Sequence, residues 1–115
     1  MKIRLAQINP TVGDLDGNTD LIIKTIQSSP DSSVIVFPEL STTGYPPQDL
    51  LLDSNFINEA DKKLNLIKKN VGEQAVVLGI PRYFNGKLFN SAAIINNGEI
   101  IGYHDKVLLP TYDVF

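Results

Sequence analysis

Val34-Ile35-Val36-Phe37, cut off at once by Pro38-Glu39, constrains the fold more than any other stretch. An apolar run with no polar alternation suits a strand covered on both faces or set deep in a sheet. A second run of the same kind, Ala75-Val76-Val77-Leu78-Gly79-Ile80, is closed by Pro81. Helical periodicity precedes each. Leu21, Ile22, Thr25 and Ile26 recur at helical spacing, which predicts a helix over residues 19–29 with Asn18 as N-cap and Pro30 as stop. Phe56, Ile57, Ala60, Leu64, Ile67 and Val71 form the apolar stripe of a second helix over residues 55–70. Lys62, Lys63, Lys68 and Lys69 face away from it, and Gly72 is placed to cap its C-terminus.

The flanking segments complete the pattern. Ile3-Arg4-Leu5-Ala6-Gln7-Ile8 reads as an opening strand ended by Asn9-Pro10. Residues 38–53, with Gly44, Pro46 and Pro47, read as a long irregular loop, and loops of that length in compact domains are usually functional or disordered. Asn85-Gly86 and Asn97-Gly98 each stand between strand-like runs. Both dipeptides tolerate the positive φ angles of a two-residue hairpin turn. The order is therefore strand, helix, strand, helix, strand, then hairpins, an α/β fold with a mixed sheet. The chain ends at Phe115 in a loop with no closing element, which predicts a piece of something longer.

Composition narrows the function. The 115 residues include 10 basic and 13 acidic side chains, a formal charge of −3. That balance argues against a nucleic-acid partner, which normally meets a basic face. No apolar stretch approaches the ~20 residues that span a bilayer, and Met1 leads into an alternating run rather than a signal peptide. A cytoplasmic protein that does not engage membranes is the expectation. There is no cysteine, so a disulfide scaffold, a zinc finger and a cysteine nucleophile within these residues are excluded. One histidine and scattered aspartates make no metal-ligand set.

Two residues stand where chemistry can be done. Glu39 lies just past the Val34 run, and the end of a central strand is where α/β proteins place functional groups. Pro38 stiffens its backbone, and the apolar surroundings are expected to desolvate the carboxylate and favour its use as a general base. An exposed strand-end glutamate served by water fits the same position. Lys106 ends another strand-like stretch beside Val107-Leu108-Leu109-Pro110. Such a lysine pairs with a carboxylate or snorkels to water. His104 and Asp105 are adjacent on a strand and point to opposite faces, so they are not expected to cooperate, and His104 reads as an ordinary polar strand residue.

Val34-Ile35-Val36-Phe37-Pro38-Glu39-Leu40-Ser41-Thr42-Thr43-Gly44-Tyr45 resembles the glutamate segment of the nitrilase-type carbon–nitrogen hydrolases. Lys106, after Gly102-Tyr103-His104-Asp105, resembles that family's lysine segment. Three further stretches are similar to the glutaminase domains of glutamine-dependent NAD synthetases: residues 5–14 with Gly17-Asn18-Thr19, Gly44-Tyr45-Pro46-Pro47-Gln48-Asp49-Leu50-Leu51-Leu52, and Leu109-Pro110-Thr111-Tyr112-Asp113-Val114-Phe115. Thr111 and Asp113 stand where that family more often has Asn and Gly.

The resemblance implies the N-terminal portion of a nitrilase-like α-β-β-α sandwich, with residues 1–115 forming part of a glutaminase domain. It implies Glu39 as general base, Lys106 as the cation at the oxyanion, and Tyr112 and Phe115 lining a glutamine pocket. Tyr45 would belong to a loop that communicates with the synthetase part. The nucleophilic cysteine would lie beyond Phe115, so the 115 residues alone are expected to be inactive. No cofactor is implied here; ATP and Mg would be used by a synthetase domain absent from this sequence. Glutamine, that domain and further copies in a homo-oligomer are the implied partners. Two alternatives are a fragment of another nitrilase-type amidase acting on a small ω-amide or carbamoyl compound, and a non-catalytic module that associates with itself through an uncovered apolar surface.

Overall fold

The structure, a computed structural model, describes residues 1–106. Five strands form one sheet in the order β1-β2-β3-β4-β5. They are β1 (Ile3–Leu5), β2 (Val34–Val36), β3 (Ala75–Phe84), β4 (Lys87–Asn96) and β5 (Glu99–Lys106). The β1–β2 and β2–β3 pairs are parallel; β3–β4 and β4–β5 are antiparallel. The sheet is thus mixed, as expected. Helix α1 (Leu15–Gln27) connects β1 to β2, and α2 (Ser54–Lys68), with a 3₁₀ turn over Gln48–Leu52 before it, connects β2 to β3.

Both crossovers step the same way along the sheet. The right-handed rule for parallel connections then puts both helices on one face. The core agrees: Ile22 and Ile26 of α1 and Leu64 and Ile67 of α2 pack against Ile35, Val76, Leu78, Ala93 and Ile95. Val34 and Val36, which alternate with Ile35, turn to the other face and are only half-buried, and Leu5 there is 76% exposed. Among the described residues no helix packs over Leu5, Val34 and Val36 on that face. The apolar run was expected to be covered on both faces or set deep in the sheet; β2 is set inside the sheet, paired with β1 and β3, and these residues supply only one helix layer over it.

Several boundaries differ from those the sequence predicts. Helix α1 begins four residues early, because Asp14 rather than Asn18 caps it, accepting from the Gly17 N–H at 2.9 Å. Helix α2 ends at Lys68, and Gly72 does not take the left-handed cap conformation. The opening strand stops at Leu5. Pro81 does not close β3. The Ala75 N–H donates to Ser33, and Val77 and Gly79 accept from Phe37 and Ser41, so odd-numbered residues of β3 turn their backbone groups toward β2. Pro81 shares that parity but lies past the end of β2, where its missing N–H leaves no bond unmade. The Asn85-Gly86 and Asn97-Gly98 turns carry positive φ at all four residues, as predicted.

Candidate active site

The helix-free face holds the two sequence-predicted residues. Glu39 follows β2, and its segment lies directly across β3 because residue 79 is glycine. A Cβ at Gly79 would stand 2.4 Å from both the Leu40 nitrogen and the Pro38 carbonyl oxygen. Only a residue without a side chain allows that approach. The Ser41 N–H donates to the Gly79 carbonyl at 2.9 Å and the Ser41 hydroxyl to the Pro38 carbonyl at 2.5 Å, which pins the turn on both sides of Glu39. Leu40, fully buried, adopts φ +49°, a backbone conformation that costs a branched residue about 1–3 kcal/mol. Burial of its side chain and these hydrogen bonds hold that strain in place beside the carboxylate.

A second clamp comes from α1. Asn18, only 2% exposed, accepts from the Thr11 N–H and donates to the Thr11 carbonyl, both at 2.8 Å, and donates to the Thr42 carbonyl at 3.1 Å. It therefore ties the loop after β1 to the loop that carries Glu39. The expectation that Asn18 caps the helix is wrong: Asp14 holds that place, and Asn18, inside α1, bridges two loops.

Lys106 reaches the same place from β5. Its Nζ stands 3.8 Å from Glu39 Oε1. Both side chains are partly solvated, at 67% and 46% exposure. An ion pair this exposed adds about 0–1 kcal/mol to stability at most, so the pairing is not explained by folding energetics. The cleft around it has a volume of about 200 Å³ and is walled by Phe37, Val77, Ala92 and His104 as well. Tyr112 and Phe115, assigned to a substrate pocket, lie outside the described residues, and Tyr45 stands exposed on the loop.

Two site residues escaped the sequence reading. Asn90 of β4 is buried and donates from Nδ2 to Glu39 Oε1. Asparagine is depleted in strands, so an Asn inside Phe89-Asn90-Ser91-Ala92 was an available signal. His104 shares the cleft because it is two residues from Lys106, on the same face. The rule that separated it from Asp105 also places it beside Lys106.

Asp105 indeed turns to the opposite face. It pairs with Arg82 Nη1 at 2.6 Å and accepts from the Ser91 hydroxyl. The Arg82 guanidinium sits 3.9 Å from the Tyr103 ring centroid and 4.6 Å from that of Phe84. This knot fastens the end of β5 from behind, so Lys106 projects from a fixed strand. Among the described residues no cluster of side chains could hold a metal ion, and no helix is long and apolar enough to cross a membrane.

A carboxylate, an ammonium and a buried amide thus meet at the C-terminal end of a central strand, the arrangement expected of a hydrolase that polarises a carbonyl and moves a proton. The sequence pattern of the carbon–nitrogen hydrolases matches residues 2–114, and the chain belongs to that family. Within it, a glutamine-dependent NAD(+) synthetase of Aquifex aeolicus is 42% identical over 118 residues, taking in 100% of this chain and 21% of that protein. A solved glutamine-dependent NAD+ synthetase from Acinetobacter baumannii, in complex with adenosine diphosphate, superposes with a TM-score of 0.85 at 36% identity, over 98% of this chain and 22% of its own. An amidase from Nesterenkonia sp., 23% identical, shares the fold with a TM-score of 0.78 over 95% of this chain and 43% of its own. The chain spans about a fifth of the length of the synthetases it matches.

Proposed function

We propose that these residues form the N-terminal part of a glutamine amidohydrolase domain that supplies ammonia to a synthetase part, which amidates deamido-NAD. The observation that carries the reading is the 3.8 Å approach of Lys106 to Glu39 in a cleft on the helix-free face. Glu39 takes the proton of an incoming thiol, and the thiolate attacks the side-chain amide carbon of glutamine. Lys106 stabilises the negative charge that develops on the carbonyl oxygen. The tetrahedral adduct collapses, the proton held by Glu39 goes to the leaving nitrogen as ammonia departs, and water hydrolyses the thioester. The 115 residues contain no cysteine, so the thiol comes from outside them, as do the residues that would use ATP and magnesium. Tyr112 and Phe115 are assigned to the glutamine pocket on sequence resemblance.

Self-association belongs to the same proposal. The apolar helix-free face, with Leu5 76% exposed, calls for a further layer from the same polypeptide or from another copy.

The test is ammonia release from glutamine by the intact polypeptide. Glu39→Gln should lower the rate by about 10²–10⁴-fold, the usual worth of a general base. Lys106→Met should lower it by about 10²–10³-fold, in line with loss of one oxyanion donor. Wild-type rates in either variant would overturn the assignment.

A further inference from the structure

We propose that Asn90 is a positioning residue for Glu39: its carboxamide holds Oε1, so that Oε2 is left to receive the proton. This inference rests on the amidohydrolase reading and names a residue that the reading does not use.

Three observations carry it. Asn90 is 5% exposed and sits in the interior of β4, a poor place for an amide unless it is bonded. It lies opposite Lys106 in the β4–β5 register, so both side chains stand on the helix-free face. Its Nδ2 donates to Glu39 Oε1, the same oxygen that Lys106 Nζ approaches. Among the described residues nothing donates to Oε2. The amide must present nitrogen to the carboxylate, because its oxygen would be repelled. A neutral donor orients the carboxylate without a second positive charge that would weaken it as a base.

Among the described residues, the charged and titratable groups facing Glu39 are Lys106 and His104, both from β5. Helices α1 and α2 pack on the opposite face, as does the Arg82–Asp105 pair.

Two variants of the intact polypeptide test the role. Asn90→Ala removes the donor and should lower kcat by about 10- to 100-fold, the worth of one hydrogen bond to a charged group, with KM held within about twofold. Asn90→Asp keeps the shape and sets a second carboxylate against Glu39. It should move the acid limb of the kcat/KM profile upward by about one to two pH units. A residue that merely fills space would lower the melting temperature and leave that limb in place. An unmoved limb in Asn90→Asp, or near-wild-type kcat in Asn90→Ala, overturns the proposal. If the wild-type protein releases no ammonia from glutamine, the amidohydrolase reading fails by itself. Asn90 is then judged by the ¹³C titration of the Glu39 carboxyl, which should rise in Asn90→Asp whatever the reaction; an unchanged titration overturns the inference.

Discussion

Gly79→Ala strikes the site without touching a chemical group. The added Cβ would meet the Leu40 nitrogen and the Pro38 carbonyl oxygen at 2.4 Å and the Glu39 carbonyl carbon at 2.8 Å. Ordinary van der Waals contact begins near 3.4 Å, so the segment must lift by about 1 Å. All three atoms belong to the backbone that carries Glu39, and no flexible side chain can absorb the movement. The lift also stretches the 2.9 Å bond from the Ser41 N–H to the Gly79 carbonyl. Overpacking of this kind costs about 1–3 kcal/mol of stability. A displacement of about 1 Å at a reacting group costs on the order of 10²-fold in rate. The assay is glutamine hydrolysis by the intact polypeptide beside a thermal melt. Gly72→Ala is the control, because there a Cβ meets only the end of the Gln74 side chain, at 3.3 Å. The reasoning requires a folded Gly79→Ala protein with kcat/KM down about 100-fold and a Gly72→Ala protein close to wild type. Activity within a few-fold of wild type in Gly79→Ala would refute the claim that close packing over β3 sets Glu39.

Two other perturbations read the scaffold. Asn18→Ala removes three hydrogen bonds between the Thr11 and Thr42 loops, the one to Thr42 buried and the two to Thr11 partly so, and should cost about 2–4 kcal/mol in denaturant unfolding; a loss under about 0.5 kcal/mol would mean the bridge is idle. Partial desolvation on the α2 surface raises the Asp61 carboxyl pKa from its ordinary value, so the folded chain binds more protons than the unfolded one as pH rises from the ordinary carboxylate range to the raised value. Stability must fall across that window and stay lower above it. Asp61→Asn should therefore melt higher than wild type at neutral pH, with the advantage gone in acid; a parallel pair of Tm–pH curves would contradict this.

The strand runs were legible because Val34-Ile35-Val36-Phe37 and Ala75–Ile80 carry their burial in their own composition, and Glu39 was legible because a Pro-Glu pair ends one of them. What depends on neighbours was not. Asn18 has the residue type of a helix cap, and only the fold reveals that Asp14 holds that place while Asn18 bridges two loops. Pro81 looks like a terminator until the end of β2 is known. Asn90 is marked locally only as an unusual residue for a strand; its partners, Lys106 across the register and Glu39 51 positions away along the chain, come from the fold.

Whether Glu39 and Lys106 work as one unit is measured most directly by a double-substitution cycle on glutamine hydrolysis by the intact polypeptide. Residues that act together lose their effect together. The geometry predicts that Glu39→Gln combined with Lys106→Met is hardly slower than the worse single variant. Losses that multiply, each as large with the partner already removed, would show two independent groups and contradict a shared site.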